Sequence, residues 1–227
     1  MPEHLTDSPH HPAVEEYLET IFHLEESGVP AMRARLVERL KVSAPAVSEQ
    51  VKRLEREGYV VLAADRTLAL TDDGRAYATA IVRRHRLAER LLVDVLGLPW
   101  HQVHEEAGRL EHAISPLLEA RLVDVLGDPA TCPHGNRIPG TRRPRDERPS
   151  LPLTALDVGA SGQVLLLEED LQAEHTTLRA LEAAGVLPGS TVTVTSSTPD
   201  GIEIRASNGT VGLTPAEGES LRVVPAA

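Results

Sequence analysis

Imidazole and carboxylate side chains recur at helical spacing in two neighbouring segments of this chain. His85 and Glu89 are four residues apart, so a helix would place both on one face. In the second segment, His104 and Glu111 follow a similar stripe, with His112 beside it. Imidazoles and carboxylates that converge between helices are typical ligands of a divalent transition metal ion. The spacing therefore predicts a metal centre built between helices.

A His–Glu pair at this spacing is also common on solvent-exposed helices that bind nothing. His85 differs from such a residue because it is in line with Ile81 and Leu92, on the predicted inward face. A titratable ring on a buried face needs a polar partner. This position favours a ligand role for His85 over that of an exposed residue, and the nearby His104, Glu111 and His112 favour it further.

The segment upstream of these residues predicts a winged helix-turn-helix, the fold of many DNA-binding domains. Ser43 is a suitable N-cap for its second helix, and Gly58 a suitable end. Asp65-Arg66 is a turn between two short strands. The predicted elements are helices over 13–26, 33–41 and from Ser43 to Gly58, and strands over 59–64 and 67–71.

The rest of the chain divides into a helical part and a strand-rich part. Five prolines within 128–150 predict a linker between the two, at least in the second half of that segment. Asn208-Gly209 is a strong hairpin signal within the second part, which we expect to be a small β-barrel-like module. The predicted helices cover 72–96, 100–114, 117–126 and 176–184, and the strands cover 163–167, 191–195, 201–206, 210–213 and 221–224.

Charge and composition narrow the function classes. The net charge of −11 argues against a general nucleic-acid binder, yet residues 32–66 carry eight Lys and Arg against five acids. Residues 151–227 carry three basic residues and ten acids, so phosphate binding is expected only in the first domain. An aromatic content of 2% disfavours proteins that stack on unpaired bases. A single cysteine and no apolar run of membrane-spanning length predict a cytoplasmic protein without membrane contact.

Several longer segments extend these patterns over nearly the whole chain. They read MRARLVERL at 32–40, AVSEQV at 46–51, LEREG at 54–58, RHRLAERLL at 84–92, VHEEA at 103–107, EH at 111–112 and HGNRIPG at 134–140. In these segments the chain resembles the diphtheria-toxin-repressor family of metal-dependent transcriptional regulators. The resemblance implies an α+β protein of three domains: a winged helix-turn-helix at 1–75, a helical dimerisation and metal-binding domain at 76–145, and an SH3-like β-barrel, similar to FeoA, at 151–227.

The resemblance implies two metal positions in the helical domain. The ancillary position is formed by His85, Glu89 and His104, with Glu169 and Gln172 supplied by the third domain. The second position is formed by Glu16, Glu111 and His112. Glu19, one turn after Glu16, matches a carboxylate that manganese-type members use.

Gly108 departs from the family pattern. It stands where other members have a Cys or Glu ligand, and a glycine has no side chain that binds an ion. The second position must therefore lose a ligand, gain water or recruit another carboxylate such as Glu105.

The predicted ligand set contains oxygen and imidazole donors only, since Cys132 falls in the linker region. Such donors suit Mn²⁺ better than softer sets do. We expect Mn²⁺ as the effector and Fe²⁺ as the alternative, with Zn²⁺, Co²⁺, Ni²⁺ or Cd²⁺ binding in vitro.

The predicted recognition helix begins with small and polar side chains that suit contact with a DNA groove. In the family, a Gln within this helix reaches a base, and here that position is Glu49. A carboxylate accepts from the amino group of cytosine or repels phosphate, so we expect a different operator sequence. The predicted DNA contacts are Ser43, Pro45, Ala46, Ser48 and Glu49, with Arg33, Arg35, Arg53, Arg56 and Arg66 as phosphate contacts.

The predicted function is a homodimeric regulator that binds a palindromic operator in double-stranded DNA and represses metal-uptake genes when it is loaded with metal. Two alternatives remain open: an iron-responsive regulator, and a metal-independent winged-helix regulator with a vestigial metal site. We expect no enzymatic activity, because no nucleophile or substrate-binding motif is evident.

Overall fold

The computed structural model of the chain describes residues 12–144 and 146–226. These residues form two compact units. The first contains the chain up to His85 together with Glu111–Glu119, and the second contains Arg86–Leu110 and the chain from Ala120 onward.

The first unit is built from helices and one short hairpin. Its elements are α1 (Pro12–Glu26), α2 (Arg33–Leu40), α3 (Ala44–Arg56), β1 (Val60–Leu62), β2 (Leu68–Leu70) and the larger part of α4 (Asp72–Arg90). The strands β1 and β2 pair antiparallel around the turn at Asp65-Arg66. Leu18, Leu36 and Leu54 are fully buried in the core between the helices and the hairpin. The order of helix, turn, helix and hairpin is that of a winged helix-turn-helix.

Local sequence explains where the recognition helix begins. The Ser43 hydroxyl accepts a hydrogen bond from the Ala46 backbone amide at 3.4 Å, so Ser43 is the N-cap of α3. Pro45 occupies the first turn of α3, where a missing amide hydrogen costs no helical bond. Val47, Val51 and Leu54 then recur at helical spacing on the buried face.

The helices after the hairpin are more broken than the sequence predicts. A π-helical turn at Leu91–Val95 follows α4, where the sequence predicts one helix to residue 96. The predicted helix over 100–114 comprises a 3₁₀ turn at Trp100–Gln102, α5 (Val103–Leu110) and a second 3₁₀ turn at Glu111–Ala113. Pro116 begins α6, which extends to Leu126. None of the described helices is long and apolar enough to cross a membrane.

The last part of the chain is a six-stranded antiparallel sheet with short helices. Its elements are β3 (Leu151–Pro152), a 3₁₀ turn (Leu153–Ala155), β4 (Ser161–Leu167), α7 (Glu169–Gln172), α8 (His175–Ala184), β5 (Thr191–Thr198), β6 (Gly201–Ala206), β7 (Gly209–Leu213), α9 (Pro215–Glu219) and β8 (Leu221–Pro225). The strand order in the sheet is β3, β8, β4, β5, β6, β7, and β6 and β7 are joined by the hairpin that the sequence predicts. Its core contains Val164, Leu178 and Leu221, and also Trp100 from the preceding helical segment.

Candidate metal centres and DNA interface

Glu19, His85 and Glu111 form a cluster that we call the His85 centre. One ligand atom of each side chain lies within 4.8 Å of the ligand atoms of the others. His85 Nδ1 lies 2.5 Å from Glu111 Oε2 and 3.9 Å from Glu19 Oε1. His85 and Glu111 are almost fully buried. One buried and one partly buried carboxylate around a buried imidazole are a suitable donor set for a divalent cation.

His112 extends this cluster toward α1. Its Nε2 lies 3.5 Å from Glu111 Oε1, and its Nδ1 lies 2.5 Å from Glu15 Oε2. Glu15 also accepts a hydrogen bond from the Tyr77 hydroxyl at 2.8 Å. Burial opposes the charge of Glu15, but the bonds from Tyr77 and His112 outweigh it and hold the pKa of this carboxyl below its usual value.

The resemblance assigned the carboxylate of α1 to Glu16, but Glu16 is exposed, whereas its neighbour Glu15 is buried against His112. Helical periodicity explains the difference, since residues 15 and 19 share one face of α1 and residue 16 lies beside it. Glu15 was not singled out from the sequence because the position of the carboxylate was taken from the family pattern alone, and the ligand role of Glu16 stays a prediction.

Glu89, Cys132 and His134 form a second cluster, which we call the His134 centre. Their ligand atoms lie within 4.8 Å of one another, and all three side chains are buried. Glu89 Oε1 lies 3.1 Å from His134 Nδ1. Burial, reinforced by the charge of Glu89, raises the pKa of the Cys132 thiol well above its usual value, so the thiol is neutral without a metal.

The other predicted ancillary ligands, His104, Glu169 and Gln172, differ in their contacts. His104 Nδ1 lies 3.4 Å from Glu89 Oε1, and a carboxylate oxygen of Glu169 lies within 4.8 Å of a ring nitrogen of His104. Gln172 is buried, but its amide nitrogen donates to the backbone carbonyl of Leu167 at 2.7 Å.

One orphaned atom tests whether the His134 centre suits a metal. His134 Nε2 is fully buried and has no hydrogen-bond partner among the residues that the structure describes. A buried ring nitrogen without a partner costs free energy, and coordination to a metal removes that cost. Thiolate, imidazole and carboxylate donors together suit Zn²⁺ or Fe²⁺.

In the sequence, Cys132 falls in the predicted linker region, and His134 is not among the predicted ligands. The structure instead folds residues 131–138 into a closed loop, with a β-bridge between Thr131 and Arg137 and a bond from Cys132 N to Asn136 O at 2.8 Å. A signal was present, since Cys132 stands two residues before His134, the first residue of the HGNRIPG segment. The prolines concealed it by suggesting an unstructured linker.

Glu105, the substitute ligand considered for the missing side chain at Gly108, faces solvent. Its side chain is 58% exposed and forms an ion pair with Arg109. This pairing on the surface of α5 offers no support for a ligand role.

The predicted DNA-contacting surface of α3 is exposed at its N-terminal end. Ser43, Pro45, Ala46 and Glu49 are exposed, and Ser48 is half-buried. Small side chains beside one carboxylate leave the helix free to approach base edges in a major groove.

The arginines predicted to contact phosphate differ in their exposure and in their hydrogen-bond partners. Arg56 and Arg66 are exposed, and Arg66 stands at the tip of the hairpin with a φ of 69°. Arg53 is paired with Glu57 at 2.7 Å, and Arg35 donates to the Pro30 carbonyl at 2.9 Å. Arg33 is half-buried at the start of α2.

A winged helix-turn-helix in a chain that also carries two clusters of metal-binding side chains defines a class of metal-responsive DNA-binding proteins. Comparison with family models gives the same division along the chain. Residues 11–68 match the N-terminal DNA-binding domain of iron-dependent repressors, residues 71–140 match their metal-binding and dimerisation domain, and residues 151–225 match the FeoA domain.

Individual relatives agree with these matches. The chain is 47% identical over 199 residues to the iron-dependent repressor IdeR of Mycobacterium tuberculosis, covering 84% of this chain and 86% of that protein. It is 42% identical over 229 residues to the diphtheria toxin repressor of Corynebacterium jeikeium, covering 92% and 95%. Among solved structures, a manganese-dependent transcriptional repressor in complex with manganese superposes with a TM-score of 0.81 at 34% identity, covering 94% of this chain and all of that one.

The chain belongs to the family of iron-dependent repressors that includes the diphtheria toxin repressor. The predicted α+β fold class and the predicted function, a metal-dependent DNA-binding repressor, are both confirmed. The members of this family are transcriptional repressors.

Proposed function

We infer that this protein represses transcription as a homodimer that binds a palindromic operator when Mn²⁺ is bound at the His85 centre. The observation that carries the proposal is the cluster of Glu19, His85 and Glu111. Glu19 belongs to α1, which leads directly into the helix-turn-helix, whereas His85 belongs to α4. When bound, a divalent ion supplies positive charge that holds carboxylates from different elements together.

In this proposal, metal binding at the cluster and DNA binding by α3 are thermodynamically linked. With Glu19 held to His85 and Glu111, α1 loses freedom relative to α4, and α3 is presented to DNA at a fixed spacing within the dimer. The ion needs only to favour the DNA-competent state, because about 1.4 kcal/mol changes the balance tenfold. The proposal of a dimer is supported by the exposed apolar side chains of α6. Leu117 is 74% and Val125 68% exposed in the single chain.

The choice of Mn²⁺ is supported by the donors of the His85 centre, which are carboxylate oxygen and imidazole nitrogen. An iron-responsive regulator is the second candidate, and Cys132 is the observation that favours it. A buried thiol beside Glu89 and His134 suits Fe²⁺ or Zn²⁺ better than Mn²⁺. The names of the relatives divide in the same way, because IdeR is called iron-dependent and the superposed structure manganese-dependent.

Selection of DNA from a random double-stranded library, with Mn²⁺, Fe²⁺ or chelator present, tests the proposal. We expect Mn²⁺ to enrich palindromic sequences and chelator to abolish the enrichment. Glu111→Gln should lose the response, while Cys132→Ser, which alters only the His134 centre, should keep it. Equal enrichment with chelator would establish metal-independent binding, and a stronger response to Fe²⁺ at equal free concentration would favour the iron alternative.

A further inference from the structure

Residues 132–138, which we call the Cys–His loop, carry two of the three side chains of the His134 centre. The backbone of the loop bonds to itself, with Gly135 N donating to Cys132 O at 3.0 Å. Ile138 N donates to Ala130 O at 3.0 Å and closes the loop at its other end. These bonds fix the shape of the loop, but they do not orient it against Glu89.

Strand β4 of the C-terminal sheet is hydrogen-bonded to the loop at His134 and at Asn136. Leu167 N donates to His134 O at 2.9 Å, and Asn136 Nδ2 donates to Leu167 O at 2.7 Å. Between these two contacts, Gly135 has a φ of +92°, and a Cβ atom there would lie 2.2 Å from Leu165 O. Only glycine permits so close an approach of two backbones.

Trp100 also contacts the loop. Its indole Nε1 donates to Pro133 O at 3.0 Å, and its ring centroid lies 4.7 Å from that of His134. The Trp100 ring is buried in the core of the C-terminal sheet, and its backbone amide donates to Glu182 Oε1 at 3.2 Å. The same side chain therefore packs against the C-terminal core and against the imidazole of the His134 centre.

We propose that the C-terminal domain holds the Cys–His loop in its metal-binding geometry, with Trp100, Gly135 and Asn136 as positioning residues for the His134 centre. The inference rests on the second candidate function, in which Glu89, Cys132 and His134 bind a divalent metal. A ring and a thiol that are already fixed against Glu89 lose little conformational freedom on binding. Because linkage is reciprocal, metal at this centre also stabilises the grip of β4 on the loop.

Cobalt is a suitable probe because Cys132 is the only cysteine of the chain. A thiolate bound to Co²⁺ gives a charge-transfer absorption band, so the band reports this centre and no other. In the reduced full-length protein we expect the band to appear on titration with Co²⁺ and to be absent in Cys132→Ser. Absence of the band in the wild-type protein would remove the metal from the His134 centre and overturn the inference, while the Mn²⁺ response of the His85 centre would be unaffected.

Gly135→Ala tests the grip of β4, and Gly189→Ala is its matched control. Both glycines have a φ of +92°, but a Cβ at Gly189 meets nothing within 4 Å. We expect Gly135→Ala to weaken Co²⁺ binding by about 10- to 100-fold, the usual effect of losing an outer support of a metal ligand. Gly189→Ala should bind Co²⁺ as the wild type does. Equal affinity in the two variants would overturn the inference.

Asn136→Ala and substitutions of Trp100 keep the test decisive if Gly135→Ala does not fold. Asn136→Ala removes one side-chain hydrogen bond and should also lower the Co²⁺ affinity, measured by titration of the charge-transfer band. Trp100→Ala should weaken it further, and Trp100→Phe should restore part of the affinity because an aromatic ring again packs against His134. Wild-type Co²⁺ affinity in both Asn136→Ala and Trp100→Ala would show that the loop needs no support from the C-terminal domain.

Discussion

His112 Nδ1 lies 2.5 Å from Glu15 Oε2, although the two residues are 97 positions apart in the chain. This contact joins the first helix to the turn that carries Glu111, within the same compact unit as the helix-turn-helix. Glu15 is 1% exposed, whereas the next residue, Glu16, is exposed. Two adjacent carboxylates on α1 therefore have different environments and different expected roles.

Glu15→Gln and Glu16→Gln should separate the stability of the protein from its response to metal. Glu15→Gln disturbs buried bonds to Tyr77 and His112 and should lower the free energy of unfolding by about 1–3 kcal/mol. Glu16→Gln should leave it within about 0.5 kcal/mol, because its side chain is exposed. If Glu16 is a ligand, as the resemblance implies, only this variant lowers Mn²⁺ affinity without loss of stability.

Urea unfolding without metal, followed by Mn²⁺ titration of each variant, measures both quantities. A wild-type Mn²⁺ response in Glu16→Gln would remove Glu16 from the ligand set and leave Glu19 as the carboxylate that α1 supplies. An unchanged unfolding free energy in Glu15→Gln would contradict the stabilising role of its contact with His112.

Glu49→Gln should change which base the recognition helix prefers. Glu49 is exposed on α3, beside the small side chains of Pro45 and Ala46. A carboxylate accepts a hydrogen bond from the amino group of cytosine, whereas glutamine pairs with adenine through two hydrogen bonds. The preference at the contacted position should shift from cytosine toward adenine by about 1–3 kcal/mol.

Binding to a series of operators that differ at single positions, at constant salt, measures this shift. The comparison must hold salt fixed because removal of a carboxylate also strengthens binding to every sequence. A uniform gain across the whole series would mean that Glu49 only repels phosphate and does not contact a base.

Most elements were predictable because their signals are local. The Ser43 cap, the buried spacing of Val47 and Val51 and the hairpin between β6 and β7 depend on short segments of sequence. His85 and Glu111 were both expected as ligands, but the resemblance assigned them to different metal positions, whereas the structure brings them into one cluster with Glu19.

The His134 centre was not predictable in the same way. Its geometry depends on a grip between Gly135 and Leu165, which are 30 positions apart in the sequence. No periodicity reports such a contact, and the surrounding prolines resemble those of a linker. Which of Glu15 and Glu16 is buried depends on how α1 is rotated about its own axis. Packing of the folded protein sets that rotation, and the local sequence does not.

Glu217 should make the stability of the protein depend on pH. Burial opposes its charge, but bonds from Thr177 and Thr214 outweigh burial and hold its pKa below the usual value. Thr214 N donates to Glu217 Oε2 at 2.7 Å, and the Thr214 side chain accepts from Glu217 N, which forms a capping box at the start of α9.

A carboxyl with a lowered pKa contributes stability above its unfolded pKa and loses it as the pH falls through the folded value. The difference in unfolding free energy between wild type and Glu217→Gln should therefore be present at about pH 7 and should shrink toward about pH 3. Urea unfolding at several pH values measures it. A difference that does not change with pH would show that the charge of Glu217 contributes nothing.

Gly108 offers a gain-of-function test at the position where the family resemblance implies a ligand. It lies within α5, its φ is not positive, and a Cβ there would meet nothing within 4 Å. Because glycine inside a helix costs about 1 kcal/mol relative to alanine, Gly108→Ala should raise the unfolding free energy by about that amount. Alanine adds no donor, so Mn²⁺ affinity should not change.

Gly108→Glu adds a carboxylate at this position and should increase Mn²⁺ affinity above that of Gly108→Ala. Gly108→Gln, which has the same size without the charge, serves as the control. Calorimetric titration with Mn²⁺ gives the three affinities. Equal Mn²⁺ affinity in Gly108→Glu and Gly108→Gln would show that a carboxylate at position 108 does not reach the ion. A missing ligand at Gly108 would then not be what sets the Mn²⁺ affinity of this site.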